Sequence, residues 1–167
     1  MIPFTLSTEN LPSVQRATTA DIERAIENLR SPTGTTFLHL SGTDGSYAQA
    51  AGTKGRYVIE FRDVYGEGFL HWRAGVPSKS EKKTFVHFYA TCARGIHRPR
   101  SCPYKIHAAD VLGLEDVKEA LLHYAITGER HQGYSWRDVS SEYPCTAKDD
   151  VIKELVPARR EENDAEL

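Results

Sequence analysis

Ile22, Ala25, Ile26 and Leu29 recur at i, i+3, i+4 and i+7, the spacing that puts four apolar side chains on one face of a helix. Thr18-Thr19-Ala20-Asp21 supplies a start, with Thr18 placed to cap and Asp21 in the first turn, near the positive end of the helix dipole. Ser31-Pro32-Thr33-Gly34 stops it. A second stripe of Val117, Leu121, Tyr124 and Ala125 predicts a helix over 114–127. Asp110 or Glu115-Asp116 stands at its start, and Gly128 lies where a C′ glycine belongs.

Between the helices the pattern changes to short alternating runs separated by turn residues. Strands are predicted over 35–40, 46–51, 56–62, 69–74 and 84–92, with Gly42-Thr43-Asp44-Gly45 and Gly52-Thr53-Lys54-Gly55 as tight turns. The run 56–62 alternates most regularly: Tyr57, Ile59 and Phe61 share one face, Arg56, Val58, Glu60 and Arg62 the other. Residues 93–103, with Gly95, Pro99 and Pro103, read as a loop, and 104–107 as a return to the sheet. A last strand falls within 131–139, where Tyr134 and Trp136 alternate. The connections are too short for crossover helices, so the sheet is an antiparallel meander. Residues 1–17, polar with Pro3 and Pro12, read as an irregular lead-in. Residues 151–156 read as one or two helical turns, and 157–167 as a frayed tail. The fold class expected is therefore α+β: a single domain of five to seven short strands, mainly antiparallel, with two packed amphipathic helices and an ordered core over residues 18–156.

Composition agrees with this. The 167 residues are 40% hydrophobic, 10% aromatic and 26% charged, which excludes wholesale disorder, a collagen-like chain and a disulfide-stapled miniprotein. No apolar run approaches the length needed to span a bilayer, so no membrane association is expected. Met1-Ile2-Pro3-Phe4-Thr5-Leu6 lacks the basic and apolar regions of a signal peptide. With three cysteines, an odd count, the expected location is a reducing cytoplasm.

Charge sharpens the picture. The net charge of −2 argues against a dedicated nucleic-acid binder, but it is a cancellation. Residues 1–70 carry net −2, residues 71–107 net +7 and residues 108–167 net −7. The basic segment, with Arg94, Arg98 and Arg100 among turn formers, offers one alternative function: a small nucleic-acid-binding or regulatory module using 71–107. Its ordinary reading is a solvated loop with like-charged strand faces, so nucleic acid is not expected as a direct ligand.

Catalytic signatures are missing. There is no Gly-x-Gly-x-x-Gly, no Gly-Lys-Ser/Thr phosphate loop and no Gly-x-Ser-x-Gly elbow. The zinc-deaminase pattern fails because Pro144-Cys145 is followed by Lys148 where a second cysteine should be, and no His-x-Glu exists. Cys92, His97, Cys102 and His107 recur every five residues, a possible zinc set. No pair stands close enough for local chelation, however, and eight basic side chains surround it, so neither metal nor cofactor is expected. A lone cysteine such as Cys92 or Cys145 at a strand end is a small hydrophobe before it is a nucleophile.

The acidic half suggests a surface. Glu142, Asp149 and Asp150 lie in irregular chain beside Tyr143, carboxylates rimming an aromatic anchor. That suits recognition of a protein whose own active site binds nucleic acid, by mimicry of phosphate charge.

The order of several segments resembles a known family. Ile22-Glu23-Arg24-Ala25-Ile26 is followed by Ser46-Tyr47-Ala48-Gln49-Ala50-Ala51-Gly52, then Tyr57-Val58-Ile59-Glu60-Phe61-Arg62-Asp63 and His71-Trp72-Arg73-Ala74. Tyr124-Ala125-Ile126-Thr127-Gly128 then leads to a strand with Trp136. This resembles the first-named family of immunity proteins of bacterial polymorphic toxin systems. The resemblance implies an α+β fold with a characteristic tryptophan, matched here by Trp136 as a core aromatic. It also implies a cognate toxin partner, commonly a nucleic-acid deaminase, whose active site is occluded by a non-catalytic inhibitor. Beside that pattern the chain carries an Arg-rich loop at 93–103 and an extension past 140.

Overall fold

Thr18 opens the first helix by a reciprocal pair of hydrogen bonds. In the computed structural model, which describes residues 3–9, 11–30, 36–77, 83–90 and 100–142, α1 spans Thr19–Arg30. Asp21 N–H donates to Thr18 Oγ1 at 3.2 Å and Thr18 N–H to Asp21 Oδ2 at 2.9 Å, which closes a capping box. Ile22, Ala25, Ile26 and Leu29 are all buried. The second helix, α2, spans Leu114–Thr127 and buries Val117, Ala120, Leu121, Tyr124 and Ala125. Gly113 N–H donates to Asp116 Oδ2 at 2.7 Å. Gly128 closes the helix at φ 77°, its N–H donating to Tyr124 O at 2.7 Å, the left-handed cap that glycine adopts at low cost.

Among the described residues nine strands accompany them: β1 Thr5–Thr8, β2 Val14–Gln15, β3 Phe37–Ser41, β4 Tyr47–Thr53, β5 Arg56–Tyr65, β6 Gly68–Gly75, β7 Lys83–Ala90, β8 Arg100–His107 and β9 Ser135–Asp138. Seven form one antiparallel sheet in the order β2-β1-β3-β4-β5-β6-β9, while β7 and β8 pair with each other as a separate two-stranded sheet. The predicted α+β class with two helices is the observed one. The β4–β5 turn is a two-residue loop with Lys54 at φ 55° and Gly55 at φ 75°, the left-handed pair that matches strand twist in tight hairpins.

Three expectations change. Within the irregular lead-in expected over 1–17, β1 and β2 extend the sheet, and Phe4, Leu6 and Ala17 are buried against the core. The strand over 84–92 does not continue the meander, because β7 turns back onto β8 as a separate hairpin. That second strand begins at Arg100, so part of the predicted loop 93–103 is strand. Pro103 lies within it, opposite His87, and a two-stranded ribbon tolerates the missing N–H because each strand has an outward edge. The predicted turns at 151–156 and the tail at 157–167 lie outside the described residues.

Both helices cover one face of the large sheet. The core between them holds Leu38 and Leu40 of β3, Ala48 and Ala50 of β4, Tyr57, Ile59 and Phe61 of β5, and Leu70, Trp72 and Ala74 of β6. Tyr57 donates its hydroxyl hydrogen to Leu29 O at 3.1 Å, satisfying a carbonyl at the end of α1. On the other face a smaller cluster joins Val58 of β5 to Ile106 of β8 and Val111. The β7–β8 hairpin therefore seats its far end on the sheet face that the helices leave open.

Candidate functional site

That second face is built in cross-strand rows by the pairing register. One row runs Ser41, Tyr47, Arg62, His71, each directly opposite the next. The next runs Ser7, His39, Gln49, Glu60, Arg73, Arg137. Because the two rows are two residues apart along every strand, their side chains share one face. Polar residues thus accumulate where a half-exposed sheet would place them, yet Glu60, His71 and Arg73 are buried.

Ion pairs hold the second row. Arg73, only 1% exposed, sits 2.7 Å from Glu60 Oε1 and 2.8 Å from Glu142 Oε2 through its Nη2. Its Nε donates to the same Glu60 oxygen at 2.8 Å, and Gln49 Nε2 donates to Glu60 Oε2 at 2.8 Å. Arg137 pairs with the buried Asp110 and lies 3.5 Å from Glu142. Burial of so many charges is tolerated only because each meets an opposite charge and a hydrogen bond.

In the first row, rings surround one cation, Arg62. Tyr47 hydroxyl and His71 Nε2 are 3.5 Å apart, with the ring of His71 edge-on to Tyr47 and Phe69. His39 tilts against Tyr47 at 4.5 Å between centroids. Arg62 lays its guanidinium over Phe69 at 4.2 Å and near Tyr47 at 5.8 Å, cation–π geometry. Burial pushes the His71 imidazole below its ordinary value, with Arg62 and Arg73 adding to the shift and Glu60 and Asp138 opposing it. His39 is lowered by burial and then by Arg62. Burial, reinforced by Glu60, pushes the Tyr47 phenol up to about 12. Both imidazoles are therefore held neutral near pH 7.

A groove of about 640 Å³ opens on the helix-covered face, beyond the end of α2, and is lined by Asp63, Tyr65, Glu129, Arg130 and Trp136 among others. Arg130 lies over Trp72 at 4.2 Å and Trp136 at 5.8 Å, and its Nε is 3.5 Å from Asp63 Oδ2. Trp136 is half-buried: its Nε1–H donates to His131 O at 2.9 Å, and its ring meets Phe61 edge-to-face at 4.7 Å. It is a packing residue with one face on the groove.

Of the predicted contact residues, Glu142 ends the 3₁₀ turn Ser140–Glu142, and its carboxylate serves Arg73 and Arg137 of its own chain. Tyr143, Asp149 and Asp150 lie outside the described residues. Of the alternative zinc set, Cys92 and His97 also lie outside them. Cys102 falls inside β8, and His107 ends it opposite Lys83. Among the described residues no cluster of three or more His, Cys, Asp or Glu is placed to hold a metal, and no helix is long and apolar enough to cross a membrane. In the basic segment 71–107, Arg73 faces the interior rather than a nucleic-acid surface.

Glu60, Arg62, His71 and Arg73 stand in segments that carry the family resemblance, but no motif marks them as a site. The signal available was the alternation itself: Arg56, Glu60 and Arg62 fall on one face of the run 56–62, and His71 and Arg73 on one face of the run 69–74, so polar side chains stack into rows once the strands pair. The chain matches no known family model, and no curated protein matches it.

Proposed function

We propose that the chain is an immunity protein: a non-catalytic inhibitor acting in the cytoplasm, which binds a cognate bacterial toxin domain of the nucleic-acid deaminase class and covers its active site. The observation that carries this reading is where the family-like segments fall. They occupy α1, β4, β5, β6 and the end of α2, one continuous sheet with both helices on one face. The segment matched to the family tryptophan is the edge strand β9, where Trp136 is half-buried on the rim of a groove.

The charged rows on the opposite face favour binding over chemistry. Glu60, Arg73, Glu142, Arg137 and Asp110 fix one another's orientation, which suits a preformed surface that binds without large rearrangement. The test is coexpression of the toxin domain encoded beside this chain. Rescue of growth together with a co-purifying stoichiometric complex supports the reading; toxicity that persists with no complex overturns it.

A further inference from the structure

Arg62 differs from the other arginines of its face. Arg73 and Arg137 each meet carboxylates, whereas Arg62 forms no ion pair among the described residues, and its buried Nε has no hydrogen-bond acceptor. A buried donor left unmatched costs free energy. Its surroundings are a hydroxyl and rings: that of Tyr47, the half-buried imidazole of His39 and the buried imidazole of His71. Arg62, Tyr47 and His39 are all only half-buried, so a group from outside can reach them.

We propose that Arg62, with Tyr47 and His39 beside it, is a receptor for a single carboxylate carried by the partner protein. The guanidinium fork presents two parallel N–H donors matched to a carboxylate, and the Tyr47 hydroxyl supplies a third. The rings of Phe69 and Tyr47 fix the plane of the fork and keep water from one side of it. The charge count selects a carboxylate over a nucleic-acid strand. Arg73 and Arg137 share Glu60, Asp110 and Glu142 between them, so Arg62 stands beside carboxylates and not on a cationic track. A strand binds through several neutralised phosphates, and here the phosphates next to the first would face Glu60. With His39 and His71 held neutral by burial, Arg62 is the one cation of its row and calls for one anionic group.

The inference rests on the reading of the chain as a protein-binding inhibitor, so its test has two arms. In the first, the full-length protein labelled with nitrogen-15 is titrated with acetate, and separately with a single-stranded oligonucleotide, while the Arg62 Nε–H signal is followed. Acetate should shift that signal in wild type and in His71→Gln, and the oligonucleotide should not. An unmoved signal with acetate, or a preference for the oligonucleotide, overturns the carboxylate site whatever the partner is. In the second arm the toxin domain is titrated against wild type, Arg62→Gln and Tyr47→Phe, each first shown to keep the wild-type amide spectrum. Arg62→Gln should weaken the complex by about ten- to a hundredfold, the range of a lost charged hydrogen bond, and Tyr47→Phe by several-fold. Equal affinity of Arg62→Gln and wild type overturns the partner's use of the site. A wild type that shifts with acetate but never binds the toxin domain overturns the proposed function and leaves the carboxylate receptor standing.

Discussion

Arg73 of β6 and Glu60 of β5 stand directly opposite each other, and the guanidinium of one lies 2.7 Å from the carboxylate of the other with both side chains less than one-tenth exposed. The sheet therefore carries an ion pair in its interior, away from the helices. Removing one partner strands the other charge. Arg73→Met should destabilise the fold by about 3–5 kcal/mol, measured by urea unfolding, and Glu60→Leu added to it should restore much of that loss. A double variant no more stable than Arg73→Met would mean that the pair is not the source.

Glu142 contributes to the same cluster from the other side, but its side chain is one-third exposed. Solvent screens it, so Glu142→Gln should cost no more than about 1 kcal/mol. A loss as large as that of Arg73→Met would show that the 3₁₀ turn at Ser140–Glu142 is a main support of β6.

The buried imidazoles predict a pH dependence with a definite sign. His71 and His39 have folded values below the ordinary 6.5, so the unfolded chain takes up their protons first. Their contribution is intact above about pH 6.5 and is lost progressively as the pH falls through the folded values. Denaturant midpoints measured from pH 7.5 to pH 5 (about the range over which imidazoles titrate) should fall for wild type and flatten in His71→Gln. Identical slopes for both proteins would remove His71 from the account.

Gly52 adopts φ +148°, and a Cβ there would stand 2.1 Å from Arg56 O and 2.8 Å from Tyr57 Cα. Those are backbone atoms of the paired strand and cannot step aside. Gly52→Ala should cost at least about 2 kcal/mol in thermal or urea unfolding. Gly55→Ala, where nothing lies within 4 Å, should cost about 1 kcal/mol from its positive φ alone.

Tyr134 donates its hydroxyl hydrogen toward Glu119 Oε2 at 3.0 Å and Asp116 Oδ1 at 3.2 Å, tying the chain after α2 back to the first turns of that helix. Tyr134→Phe should lose about 1.5–3 kcal/mol, the range for a hydrogen bond to a charged group. A neutral result would mean that water replaces the hydroxyl without loss.

Local signals explain what the sequence made visible. The stripe Ile22, Ala25, Ile26, Leu29, the Thr18 cap and Gly128 are each written within one or two turns of chain, and both helices form where those signals stand. Strand β1 has one buried residue in four, too short an alternation to register, and its burial comes from β3, a partner more than thirty residues on. The separation of β7 and β8 from the sheet is a choice of partner, which alternation within a strand does not specify. The charged rows were missed for the same reason. Glu60, His71 and Arg73 occupy polar positions of ordinary alternating strands, and only pairing brings them together under cover. Glu142, an acidic residue in irregular chain expected to face a partner, also pairs with Arg73 and Arg137 while its side chain stays one-third exposed.

Titration of the purified toxin domain with this protein, following toxin activity and heat of binding together, tests the central claim most directly. The account predicts saturation at one molecule per toxin domain, with activity lost at the same equivalence point. Full toxin activity in the presence of excess protein, with no heat of binding, would contradict it.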